Sequence, residues 1–98
     1  MLYILRFFDK PDQSAIRQEF FPAHVQWLDA NRAKVLVPGA LRQAADDKAV
    51  GGLWLVEAES VAEIEKLFQT DPFWANGLRE RYEIFRWVKA FPDRQVSI

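Results

Sequence analysis

The spacing of hydrophobic residues changes along this chain, and each change marks an element. Leu2 to Phe8 is a run of Leu, Tyr, Ile and Phe broken only by Arg6. Apolar side chains fall on both alternating faces, the pattern of a central strand covered on two sides. Asp9-Lys10-Pro11-Asp12 closes it as a loop. Asp12 or Ser14 can cap a helix expected to run to about Arg32, with a break or kink at Pro22, where a backbone donor is lost. On that helix Phe21, Val25 and Leu28 form one apolar stripe, and Ile16, Phe20 and Trp27 form another beside it. His24, the one histidine of the chain, projects between the stripes and is expected to face the protein rather than water. An imidazole turned inward must find a hydrogen-bond partner or a wet pocket.

Lys34 to Leu41 reads as a second strand, and Pro38 confines that part of it to a sheet edge or a bulge. Residues 43 to 49 are a polar hairpin loop, and Val50 to Glu59 is the third strand. Within it Gly51 and Gly52 leave backbone room for a close neighbour or a ligand. Ser60-x-x-Glu63 is a capping box opening a second helix, whose narrow apolar face is Val61, Ile64, Leu67 and Phe68. Asp71-Pro72 is a fresh N-cap with proline at the first helical position, and the short turn after it ends at Asn76-Gly77. Tyr82 to Lys89 is a fourth strand, with Tyr82, Ile84 and Val88 on one face and Phe85 and Trp87 on the other. Phe91 to Ile98 carries no placeable pattern. The order βαββαβ predicts an α+β, ferredoxin-like protomer: a four-stranded antiparallel sheet with both helices on one face. The other face is then bare and apolar, and two copies packed sheet to sheet would cover it.

Composition sharpens that last point. Half of the 98 residues are hydrophobic and 14% are aromatic, more than one thin core can hide, so a homodimer is expected. Net charge is −1 and the 13 basic residues are scattered, which leaves no nucleic-acid footprint. With no cysteine and a single histidine, disulfide frameworks and zinc sites are not expected, and no metal or cofactor is called for. No apolar run approaches the ~20 residues of a membrane span. The N-terminus enters a strand-like segment at once, so no signal peptide is expected and a soluble, cytoplasmic domain is.

The residues Met1-Leu2-Tyr3-Ile4, Pro22-Ala23-His24 with Leu28, Gly39-Ala40-Leu41, and Asp71-Pro72-Phe73 through Gly77-Leu78 together resemble the YciI-like (YCII-related) proteins. Trp87 falls where that family ends its last strand with an aromatic, and the resemblance covers roughly residues 1 to 90 of one domain spanning 1–98, with 90–98 as a tail. Ala40 stands where proline is common in the family, and the tail after Lys89 is this chain's own. The resemblance implies a dimeric α/β barrel built on the ferredoxin-like protomer. It also implies an active site on the helix-1 histidine and an aspartate, here His24 and Asp71. Some relatives act on small cyclic compounds, as in dehydrochlorination of a hydroxyhydroquinone, and the muconolactone isomerases share the architecture.

A histidine paired with a carboxylate is a proton-transfer unit, because the carboxylate fixes the tautomer through one ring nitrogen and frees the other. The bland alternatives are a core histidine satisfied by a backbone carbonyl and an Asp71 that is only a helix cap. His24 is expected to face a pocket between helix and sheet, with the Asp71 carboxylate within direct or one-water reach. Arg6 and Arg86 interrupt apolar strands and could clamp an anionic ligand or meet Glu57 or Glu83 in ion pairs. Trp27, Trp54, Trp74 and Trp87 could line an aromatic pocket or simply pack, and Trp27 and Trp54 join Arg6 and Arg86 as candidate ligand contacts. No phosphate-binding glycine loop or nucleophile elbow is present. Two readings follow: a cofactor-free lyase or isomerase acting on a small ring or carbonyl substrate, or a non-catalytic homodimeric module that binds a small ligand or a partner.

Overall fold

β1 (Leu2–Asp9) is an inner strand of a four-stranded sheet in the computed structural model, which describes Met1 to Ile98. It pairs antiparallel with β3 (Ala49–Glu57) on one side and β4 (Arg79–Arg86) on the other. β2 (Val35–Arg42) pairs antiparallel outside β3, giving the order β2-β3-β1-β4. Between the strands run α1 (Ser14–Ala30), α2 (Val61–Leu67), a 3-10 turn (Phe68–Thr70) and α3 (Pro72–Ala75). This is the ferredoxin-like arrangement the element order predicts. No helix is long and apolar enough to cross a membrane.

The core lies between the sheet and the helices. Alternate residues of β1 (Tyr3, Leu5, Phe7) and of β3 (Trp54, Val56) are buried there with Val35, Ala58, Ile64 and Phe68. Phe7 meets Trp54 and Phe68 edge-on, with ring centroids 4.9 and 5.2 Å apart, a geometry that adds to area burial.

The local signals formed their elements, with small physical differences. Ser60 Oγ accepts from the Glu63 N–H at 3.1 Å, but Glu63 accepts in return from the N–H of Glu59 rather than that of Ser60, at 2.8 Å. Asp71 caps α3 with Pro72 at its first position, and Gly77 follows at φ 78°. Pro38 lies on the edge strand, beside an irregularity between Val35 and Val37. α1 crosses Pro22 unbroken: Gln18 and Pro22 are both exposed, so the carbonyl that loses its donor stays on the wet side. Neither expected cap acts, because Gln13 holds the N-cap position without a side-chain bond and Asp12 takes a left-handed φ of 59°. β4 begins at Arg79 rather than Tyr82, because Arg79 pairs across the sheet with Asp9 and Arg81 with Phe8. It ends at Arg86, although the Trp87 N–H still donates to the Leu2 carbonyl at 2.9 Å.

Candidate functional site

His24 is the only fully buried residue of α1; Trp27 and Leu28 pack partly buried against the core, but two neighbours expected to bury with His24, Phe21 and Val25, do not. Phe21 is 52% exposed and Val25 44%. The imidazole is gripped instead by residues from across the chain. Asp71, fully buried at the start of α3, uses one oxygen twice: Oδ1 accepts from the Phe73 N–H at 3.2 Å and lies 2.7 Å from His24 Nδ1. The cap therefore holds the carboxylate in place for the histidine. Phe73 stacks on the imidazole, with centroids 3.9 Å apart and planes 13° off parallel. An ionised carboxylate only accepts, so Nδ1 carries the proton donated to Asp71, and Nε2 is left with its lone pair.

A cavity of about 310 Å3 explains the exposed apolar residues. Phe21, Val25 and Leu28 of α1 form one wall and Pro38, Gly39 and Ala40 of β2 another, with Trp54 and Phe73 beside His24. The ionisable side chains in its walls are Arg17, His24, Arg42 and Arg79, and no carboxylate is among them. Nor does the chain gather three or more His, Asp or Glu where they could hold a metal ion.

Arg79 is the buried cation of this set, only 5% exposed. Its Nη1 donates to Asp9 Oδ1 at 2.7 Å, and the other oxygen of Asp9 accepts from Arg17. The guanidinium lies 4.7 Å from the Phe7 ring centre and 5.2 Å from that of Phe73, within cation–π range. Burial pushes its pKa below the ordinary arginine range, while the bond and charge of Asp9 oppose the shift. It remains a cation near neutral pH.

Of the other candidate contacts, Trp54 lines the cavity and Trp27 does not. The Trp27 indole donates to Thr70 Oγ1 at 2.9 Å and packs 5.6 Å from Trp54, so its place is structural. The clamp expected from Arg6 and Arg86 is not formed. Arg6 is opposite Glu83 on the sheet face away from the helices, its guanidinium 4.4 Å from the Phe8 ring centre, while Arg86 is opposite Tyr3 on the helix side. Strand alternation puts them on opposite faces. Neither makes the ion pair that was the alternative: Glu57 binds the N-terminal ammonium at 2.9 Å, and Glu83 approaches Arg81 at 3.8 Å. Arg79, Arg17, Asp9 and Phe73 escaped the sequence reading. One signal pointed at them, the Gly51-Gly52 pair: a Cβ at Gly52 would stand 3.1 Å from Arg79 Nη2, and one at Gly51 would collide with the Phe7 carbonyl oxygen at 2.1 Å.

The YCII-related domain matches residues 1–88. The chain belongs to the YCII-related family. Among solved structures, this YCII-related protein is similar to 5-chloro-2-hydroxyhydroquinone dehydrochlorinase from Burkholderia phenoliruptrix AC1100, solved in complex with 2,5-dihydroxybenzoquinone. The two share 30% identity over 90% of this chain and 94% of that one, with a TM-score of 0.80. A second structure, a Bacteroides thetaiotaomicron protein named for antibiotic biosynthesis monooxygenases, matches at 16% identity, TM-score 0.61, over 99% of this chain and 95% of that one. At that identity only the fold is shared. No curated protein matches the chain.

Proposed function

We infer that this YCII-related protein is a small enzyme that moves a proton on a small cyclic substrate, with His24 as acid–base and Asp71 as the carboxylate that orients it. The observation that carries this reading is the 2.7 Å contact of His24 Nδ1 with Asp71 at the wall of a cavity of about 310 Å3. A purely structural histidine would be sealed and satisfied by a backbone carbonyl. Here the Nδ1 partner is a carboxylate and Nε2 is free to accept a proton. In a lyase reaction that proton leaves the substrate for Nε2 while the leaving group departs with its bonding electrons. In an isomerase the imidazolium returns the proton to another atom. Similarity to a dehydrochlorinase at 30% identity supports the first form. Phe73 below and Trp54 beside the imidazole suit a flat ring.

The dimer belongs to the same reading. The sheet face away from the helices carries Leu53, Phe85 and Trp87 at 39%, 54% and 43% exposure, and a second copy would cover it with a stable interface of at least ~1,200 Å2.

Turnover of 5-chloro-2-hydroxyhydroquinone and a panel of small lactones tests the chemistry. His24→Gln should lower the rate by about 10²-fold or more, with the melting temperature little changed. A variant that turns over like the wild type removes His24 from the mechanism. Compounds that bind but are never transformed would favour the ligand-binding module instead.

A further inference from the structure

We propose that Arg79 is the anchor for an anionic oxygen of the ligand, so that the site takes small ring compounds bearing a carboxylate, phenolate or enolate. The proposal deepens the proton-transfer reading of His24 and rests on it only for which end of the ligand reacts.

Three features of the Arg79 side chain support this. First, its donors are largely unspent. Arginine carries five N–H donors, yet Nη1 bonds Asp9, Nη2 makes no hydrogen bond, and Nε is fully buried without a partner. A charged side chain only 2% exposed is costly to leave in that state. Second, its carboxylate partners are already engaged. Asp9 is shared between Arg79 and Arg17, and the other carboxylate whose charge reaches Arg79, Asp71, is bound to His24. The cavity walls supply no further carboxylate. Third, the backbone makes room for it. β3 omits a side chain at Gly52, where a Cβ would stand 3.1 Å from Nη2 and 3.5 Å from Nη1.

The geometry also bounds the ligand. The His24 imidazole and the Arg79 guanidinium both lie against the Phe73 ring, at 3.9 and 5.2 Å from its centre, and both line the same cavity. A small ring with one charged substituent is on that scale. Arg42 also borders the cavity, but it is exposed and its Nη1 donates to the Asp47 carbonyl at 3.0 Å. Surface cations of that kind bind weakly, whereas a desolvated guanidinium held by packing binds an oxyanion strongly.

Calorimetric titration with 2,5-dihydroxybenzoquinone, an acidic quinone ionised at neutral pH, tests the anchor. Benzoate and its neutral twin benzamide provide the charge control. The wild type should prefer benzoate to benzamide. Arg79→Gln should lose about tenfold or more in affinity for both anions while binding benzamide as before. Gly52→Ala, which leaves the arginine in the chain but crowds Nη2, should weaken the anions in the same direction. A wild type without preference for anions overturns the proposal, and so does an Arg79→Gln variant that binds them normally. Should Arg79→Gln fail to fold, unchanged anion binding by Gly52→Ala overturns it. The two readings fail separately: turnover surviving His24→Gln sinks the proton-transfer role, while anion binding surviving Arg79→Gln sinks only the anchor.

Discussion

The two faces of the sheet are built from the same strands and could hardly differ more. Along β1, Tyr3, Leu5 and Phe7 are 6%, 0% and 1% exposed beneath the helices. Their alternates Ile4, Arg6 and Phe8 look the other way, towards Leu53, Leu55 and Phe85. The helix face combines an aromatic core with every buried polar group of the chain: His24, Asp71 and Arg79. The far face has no such cluster. It is a shallow apolar surface around Ile4, Val37, Leu55 and Trp87, touched by the chain's own Ile98. Buried polar groups need partners, and here the fold supplies them only in part: Arg79 Nε and Asp71 Oδ2 have none. An apolar face left open has no chemistry of its own, only surface to cover. Under the proposed function the helix face is the working side, and the far face the side a second copy would cover.

The largest expected effect separates the faces by stability. Phe68 is fully buried against Phe7, Trp74 and Tyr82, so Phe68→Ala should cost about 3–5 kcal/mol. Phe85→Ala on the far face, 54% exposed, should cost the isolated protomer less than about 1 kcal/mol. Denaturant unfolding of both variants, at a concentration low enough to dissociate any dimer, makes the comparison. Equal losses would erase the distinction.

Self-association sharpens it from the other side. Leu55 lies between Ile4 and Val37 in the register, with no cation opposite. A carboxylate there would be buried unpaired between two copies. Leu55→Glu should therefore weaken the proposed dimer by at least about tenfold, ~1.4 kcal/mol, and leave the protomer folded. Sedimentation velocity at micromolar concentration reads the result. A wild type that sediments as a monomer sinks the dimer, and a variant that stays dimeric moves the interface elsewhere.

The same contrast explains what could be read in the sequence. Caps and turns are local, so Ser60 with Glu63, Asp71-Pro72 and Asn76-Gly77 marked their elements directly. The two-faced pattern of β1 was legible because alternation survives any register. His24 was expected to point inward, but for a partly mistaken reason: its neighbours Phe21 and Val25 rim a cavity instead of filling a core. The 47-residue separation between His24 and Asp71 carries no local signal. Their pairing came from family resemblance and from the expected fold, which returns the connection before the last strand towards α1, not from spacing. Arg79 and Asp9 were invisible for a related reason. They meet only through the β1–β4 register, which shifts between Phe8 and Asp9, and a charged strand start next to Gly77-Leu78 reads as loop. Arg6 and Arg86 stood out because they break apolar runs, yet only the register shows that they lie on opposite faces.

The smallest effect probes the helix face at its rim, through pH. Tyr82 lies on that face of β4, opposite Phe7, and packs edge-on against Phe68 at 4.9 Å and Trp74 at 5.6 Å. Its hydroxyl donates to the carboxylate of Glu65 on α2, tying the helix to the edge strand. That hydrogen bond raises the Tyr82 pKa above the ordinary value, with burial and the negative charge of Glu65 adding to it. The sign follows from linkage. A group whose pKa is raised by folding favours its protonated form in the native state, so its contribution is fully present below the unfolded value of about 10. The contribution is lost as pH rises through the higher folded value, where a tyrosinate would face Glu65. Wild type and Tyr82→Phe should therefore differ in stability at about pH 8 and converge as pH rises above the unfolded value of about 10 and through the higher folded one. Phe85→Ala, on the face without titrating partners at that side chain, should show a difference from wild type that does not change over the same range. Denaturant midpoints across the series provide the measurement. A Tyr82→Phe difference that stays constant through the alkaline limb would mean that the Glu65 contact contributes nothing to holding α2 on the sheet.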